Sequence, residues 1–348
     1  EITERDWSSD VCSSDLLYRS QRRGGRGVKG AQLRADDEIN HLFVTNTHHW
    51  LLFFTTKGRV YRAKGYQIPE SGRDGKGQHV ANLLPFQPDE GIAQVMKLES
   101  YDAAPYLVLA TKHGRIKKTR LEDYDSSRSA GVIAINLVDD DEVIAARLIN
   151  DEQDLLLVSK EGMSVRFRAD DEQLRPMGRA TSGVGGIRLA PGDSLLSMAV
   201  VEDDDYCVTV TDKGYGKRTA VSEWSRKNRN IKGVRAMRLV PERGDLVGAV
   251  VGKPGDEILA IASSGVVIRV PMEEIRMTGR DTMGVGLMNP GEGQTVVAIA
   301  RAAESDGDEE GTEEAESGES PQSQDPAGRL EQDTDSSAST VESGKVDQ

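Results

Sequence analysis

The chain has 348 residues, 37% hydrophobic, 29% charged and only 5% aromatic, with 36 glycines. That supports a sizeable core, favours turns and strands over long helices, and leaves no apolar run near the roughly 18 residues of a membrane span. Two cysteines, Cys12 and Cys207, exclude a disulfide framework or a zinc cage. The net charge of −14 argues against a polyanionic partner only until it is located. Residues 304–348 hold 15 Asp/Glu and 2 Lys/Arg, so the rest of the chain is nearly neutral. No secretory signal opens the sequence, and a cytoplasmic location is expected.

Residues 1–16, EITERDWSSDVCSSDL, show no strand alternation and resemble the translation of sequencing-adapter read-through. They are read as non-native. The motif Gln21-Arg22-Arg23-Gly24-Gly25-Arg26-Gly27 follows. Three guanidiniums within five residues suit bidentate phosphate contacts, and the glycines let backbone N–H groups approach closely. Residues 25–30 also satisfy G-x-G-x-x-G. A dinucleotide site would need a strand before it and a helix after it, whereas a short strand and an acidic turn follow here.

One pattern then recurs five times: an apolar strand, Ser or Thr, a polar turn, glycine, and a strand carrying a base. The copies span 51–64, 107–120, 155–168, 207–219 and 259–270, with turn glycines Gly58, Gly114, Gly162, Gly214 and Gly265. Each reads as a β-hairpin whose glycine takes a positive φ. A second half, with a small residue, an apolar strand, an acidic turn and another apolar strand, occurs six times. Its last strands are 39–45, 92–98, 143–149, 195–201, 246–251 and 295–300. Six second halves and five hairpins imply six units, and the missing hairpin would fall at about residues 1–14, where the non-native string stands. Four strands per unit at about 50 residues is a propeller period. The expected fold is therefore all-β, a closed six-bladed β-pinwheel or propeller over 17–302 with an incomplete first blade. A solenoid or a pair of sandwiches is disfavoured, because no capping repeat is evident. Residues 303–348, rich in Ser, Glu, Asp and Gly, are expected to be a disordered acidic tail. Such a tail could compete with a polyanion for basic surface.

The bases of the middle are in register. Four residues after each turn glycine stand Arg62, Lys118, Arg166, Arg218 and Arg269, although Lys and Arg make up only about one residue in eight. Arg59, Lys64, Arg115, Lys117, Arg120, Arg168 and Lys217 lie on the same strands. A second set, Arg23, Arg73, Arg128, Arg179, Arg229 and Arg280, precedes the glycine that opens each second half. A merely solvated face predicts mixed signs. One sign at one register predicts a ring of bases for a regular polyanion, and duplex DNA supplies a charge per about 1.7 Å. Nothing in the ring is suited to reading base edges, so contact should be sequence-tolerant.

The QRRGGRG motif at the head of a basic six-unit β-repeat resembles the box of the DNA gyrase A C-terminal domain family, and residues 17–302 are similar to it throughout, in its high-GC Gram-positive form. The resemblance implies a six-bladed pinwheel that wraps duplex DNA in a positive sense through the box and the ring bases. It implies association with the gyrase B subunit, and with the N-terminal cleavage core of the same polypeptide. ATP and Mg would bind elsewhere in that holoenzyme, so no cofactor is expected here. Residues 227–233 echo the box but lack two of its glycines. The A-type chain of topoisomerase IV is the alternative within the family, and a protein-binding propeller scaffold the alternative outside it. No catalytic tyrosine arrangement, P-loop or metal cluster is evident, and His48-His49 reads as a turn rather than a metal site. The chain by itself is expected to be catalytically inactive, soluble and nucleoid-associated.

Overall fold

The computed structural model describes residues 28–29, 45–69 and 79–302, all within one compact unit that ends at Ser305. These residues form five antiparallel four-stranded sheets. From the inside outward, the first holds Ile92–Leu98, Trp50–Thr55, Arg59–Lys64 and Val132–Ile133. The second holds Val143–Ile149, Tyr106–Thr111, Arg115–Arg120 and Val184–Gly185. The third holds Leu195–Val201, Asp154–Ser159, Met163–Arg168 and Val234–Arg235. The fourth holds Leu246–Gly252, Tyr206–Thr211, Tyr215–Ala220 and Val285–Gly286. The fifth holds Val296–Arg301, Glu257–Ala262, Val266–Pro271 and Val28–Lys29.

All five predicted hairpins are present at their predicted register. In four of them the Ser or Thr before the turn is buried, and its side-chain oxygen accepts the N–H of the residue after the glycine: Thr55, Thr111, Ser159 and Thr211, each at 3.2 Å. The glycine N–H returns to the carbonyl of that same residue, as in Gly114 to Thr111 at 2.9 Å. This is a tight turn followed by a left-handed glycine, the loop that suits a twisted hairpin.

The sequence unit is not the structural blade. The small-residue strand of each second half pairs with the preceding hairpin, not with its own. Val132–Ile133, which follows the second hairpin, completes the first sheet, and Val285–Gly286, which follows the fifth, completes the fourth. Val28–Lys29 completes the fifth sheet by pairing with Val266 and Val267. The corresponding segment after the first hairpin, residues 70–78, lies outside the described residues. His79 lies outside any strand, and Val80–Asn82 is a 3-10 turn. The closed six-bladed expectation is thus met by five sheets. The elements of the sixth sector, including the predicted strand 39–45 up to Val44, lie outside the described residues.

The middle of each first hairpin strand is largely apolar because both faces of its sheet are covered. Leu107 and Leu109 pack towards the first sheet with Leu52 and Phe54, while Val108 and Ala110 pack towards the third with Leu155 and Leu157. The alternation continues through Leu156 and Val158 against Cys207, then Val208 and Val210 against Ile258 and Ala260. A period of two thus serves two cores at once. The inner strands line a central cavity of about 880 Å³.

The glycines carry the exchange. The Gly114 carbonyl accepts N–H groups from Gly186 and Ile187 of the next repeat, and a Cβ at Gly114 would meet the Ile187 carbonyl oxygen at 3.0 Å. Gly131 has φ +68, and a Cβ there would meet the Val60 carbonyl oxygen and the Tyr61 ring at 2.8 Å. Gly192, at φ +85, faces open space. Gly131→Ala and Gly192→Ala both force a left-handed alanine, at about 1–2 kcal/mol. Gly131→Ala adds a collision worth roughly 1–3 kcal/mol. Urea denaturation should therefore show Gly131→Ala as clearly the more destabilising, and equal losses would refute the docking role of this glycine.

Candidate nucleic-acid interface

The third strand of each sheet carries the base four residues after the turn glycine, diagonal to the first residue of the hairpin. That first residue is always an aromatic or an acid. Arg62 lies over the Trp50 ring at 4.4 Å, Lys118 over Tyr106 at 4.6 Å and Arg218 over Tyr206 at 4.7 Å. Arg166 pairs with Asp154 at 2.7 Å, and Arg269 pairs with Glu257. Further carboxylates complete the set: Asp125 on Arg62 at 2.6 Å, Asp151 and Asp171 on Lys118 at 2.5 and 3.1 Å, and Asp203 on Arg166 at 2.5 Å. The hydrogen bond from Arg166 holds the Asp203 carboxyl below its ordinary range. The register of bases is real, and much of it points inward to tie strand ends together.

This corrects the expectation of a solvent-facing ring at this register. Lys117, Lys118, Lys217 and Arg166 are buried. Lys117 Nζ donates to the carbonyls of Ala134 and Arg179, and Lys217 Nζ to those of Gly279, at 2.7 Å, and Arg280. Both lysines hold the loop of the next repeat that leads to its outer strand. Arg59 and Arg115 do the same from the turn, donating to Ala130 and Gly183 carbonyls at 2.7 Å. Arg243 donates to the corresponding carbonyl of Gly284 in the fourth sheet. A desolvated charge is costly unless paired, so burial beside Arg179 pushes Lys117 down to about 7, and burial pushes Lys217 down to about 8.

The remaining predicted bases are divided. Arg120 and Arg168 are exposed, the first within 3.5 Å of Glu122 and the second bonded to the Glu152 carbonyl at 3.0 Å. Lys64 lies over Trp50 at 4.0 Å and donates to the His48 carbonyl. Of the second set, Arg128 is exposed and Arg179 half-buried. Arg229 is tied to the Gln173 and Gly185 carbonyls, and Arg280 to those of Glu223 and Arg235. Gln21, Arg22, Arg23, Gly24, Gly25, Arg26, Gly27 and Arg73 lie outside the described residues.

Sequence reasoning missed a denser patch. The segment 225–238, which leads into and out of the outer strand of the third sheet, contains Arg226, Lys227, Arg229, Lys232, Arg235 and Arg238 and no acid. All but Arg229 are exposed. Arg235 and Arg238 share Asp281 at 3.5 and 2.9 Å. Arg175, Arg188 and Arg276 are also exposed near outer strands. The signal was the absence of acids over 14 residues, rather than the incomplete box echo within them.

Neither cation-site chemistry nor a nucleophile emerges among the described residues. Glu202, Asp204 and Asp205 form an acidic group, and Lys253 Nζ already occupies it at 3.0 Å from Glu202 and 4.0 Å from Asp204. Cys207 is buried, which pushes its thiol up to about 12 and makes it unreactive.

The lysine clamps give a pH dependence. Lys117 and Lys217 titrate lower in the folded than in the unfolded chain, where the ordinary value is 10.5. The unfolded state then binds more protons, so stability rises as pH goes from about 7 towards 10.5. The urea midpoint should increase between pH 7 and 9, and Lys117→Met should flatten that slope while lowering the midpoint. An unchanged slope would remove Lys117 from the account.

The DNA gyrase C-terminal domain, beta-propeller family matches six consecutive segments: 17–46, 49–98, 105–150, 153–202, 205–253 and 256–303. The DNA gyrase A subunit of Streptomyces coelicolor is 59% identical over 292 residues, covering 82% of this chain and 34% of that protein. The DNA gyrase A subunit of Mycolicibacterium smegmatis is 54% identical over 308 residues, covering 88% and 37%. The chain thus spans about a third of the length of these curated relatives. A solved DNA gyrase A C-terminal domain superposes with TM-score 0.74 at 26% identity, over 83% of this chain and 94% of that one. The C-terminal domain of a DNA topoisomerase IV does so with TM-score 0.64 at 26% identity, over 74% and 80%.

Proposed function

The chain belongs to the DNA gyrase C-terminal domain, beta-propeller family, and on that premise we propose that it binds duplex DNA along its outer edge and wraps it for a DNA gyrase. The observation that carries this reading is the acid-free segment 225–238, whose exposed bases flank an outer strand. Phosphate contacts of this kind position a duplex without reading its sequence. Bending 20–30 bp by 40–90° costs on the order of 1–6 kcal/mol, which several such contacts offset.

The finer proposals follow from the exchange pattern. On this reading six sectors close the ring, which the pairing of Val28–Lys29 with the fifth sheet and the six matched segments support. The box, residues 21–27, immediately precedes that outer strand in the chain and is assigned the first phosphate contacts. Exposed Arg120, Arg128 and Arg168 and the 225–238 patch extend the track. The wrap would serve a holoenzyme with the gyrase B subunit, and with the cleavage core of the same polypeptide, which supply catalysis and hold ATP and Mg. Among the described residues no helix is long and apolar enough to cross a membrane, in keeping with a cytoplasmic, nucleoid-associated role. The topoisomerase IV alternative is less favoured, since the curated relatives at 52–59% identity are gyrase A subunits.

Ligating nicked circular DNA with the chain bound tests the proposal. A positive linking-number shift is expected, and it should vanish in the Arg22→Ala, Arg23→Ala, Arg26→Ala variant. Affinity should fall about 10³–10⁵-fold between 50 and 200 mM salt if 6–10 phosphates are engaged. Salt-insensitive binding, or binding without a shift, would overturn wrapping.

A further inference from the structure

The five register-matched bases are not equivalent. Arg62, Lys118, Arg166 and Arg269 each have a carboxylate within 4.0 Å. Arg218 has none among the described residues. Its side chain lies over Tyr206 at 4.7 Å, its Nε is buried without a hydrogen-bond partner, and the residue as a whole is half-buried.

The sequence of the flanking loops explains the difference. Two residues past the inner strand, the second and third sheets place Asp151 and Asp203, which reach Lys118 and Arg166. The fourth sheet places Pro254 there. The segment of the next repeat beside Arg62 brings Asp125. The segment beside Arg218 bonds to its backbone through the Arg276 carbonyl and the Thr278 N–H, at 3.0 and 2.9 Å, and brings an exposed arginine and the exposed Met277 instead. Among the five register-matched bases, Arg218 is therefore the one aromatic-backed guanidinium whose anion is left to come from outside.

Resting on the DNA-binding reading above, we infer that Arg218 is a built phosphate-binding site, taking a phosphodiester of the duplex where the other four bases take an internal carboxylate. A guanidinium oriented by a ring and short of an acceptor pairs with an oxyanion bidentately. Arg62 and Arg269 are the internal controls.

The test is the salt dependence of the chain's affinity for a 40-bp duplex. Losing one phosphate contact reduces the log–log slope by about 0.9. Between 50 and 200 mM salt, Arg218→Gln should therefore lose roughly 3.5-fold less affinity than the unaltered chain. Pro254→Asp, which supplies the carboxylate the second and third sheets have, should reproduce that change with Arg218 in place. Arg62→Gln and Arg269→Gln should lower thermal stability and leave the slope unchanged. An unaltered slope in both Arg218→Gln and Pro254→Asp would overturn the inference while DNA binding stands. Failure of the unaltered chain to bind the duplex at 50 mM salt would overturn both.

Discussion

Every described sheet ends in a two-residue strand that belongs, in sequence, to another repeat. Two residues make too short a ladder to hold on their own. The exchange is held instead by backbone contacts at glycines, where a carbonyl of one repeat comes too close to another for a Cβ without a shift, as at Gly131 and Gly183. It is held also by cations on carbonyls: Arg59 on Ala130, Arg115 on Gly183, Lys117 on Arg179, Lys217 on Arg280 and Arg243 on Gly284. Each repeat is then incomplete without its neighbour, and folding of the array is coupled around the ring rather than summed over separate blades.

That constraint determines how the bases are used. A cation inside a sheet edge must be neutralised or bonded, so the inward-facing register carries aromatics and carboxylates at fixed offsets. Asp154 illustrates the demand: one buried carboxylate faces both Arg166 and Arg226, each at 2.7 Å. The cations left over for a polyanion are those pushed to the outer edge, where exchanged strands and their loops present them to solvent. Charge regularity in the sequence therefore mixes buried bases that brace one repeat against the next with exposed bases that the proposed function assigns to a partner, and burial separates the two.

The hairpins, their turn glycines, the apolar character of the first hairpin strands and the six-fold count of second halves follow from the sequence alone. Each depends on local rules: a period of two, a left-handed glycine, a Ser or Thr that closes a turn. The family was legible too, from the QRRGGRG motif and the spacing of its repeats, and the matched segments agree with it. Which hairpin each short strand would join was not legible, because pairing across repeats leaves no local mark and the nearest hairpin in sequence is the wrong one. Nor was the fate of the aligned bases. Lys117 and Arg128 read alike as cations of a basic repeat, yet the first is sealed beneath carbonyls of the next loop and the second stands in solvent. Only the tertiary structure decides that. The carbonyls that claim Lys117 lie 17 and 62 residues along the chain, and one that claims Lys217 lies 63 residues along it, so these contacts form only when successive repeats pack together.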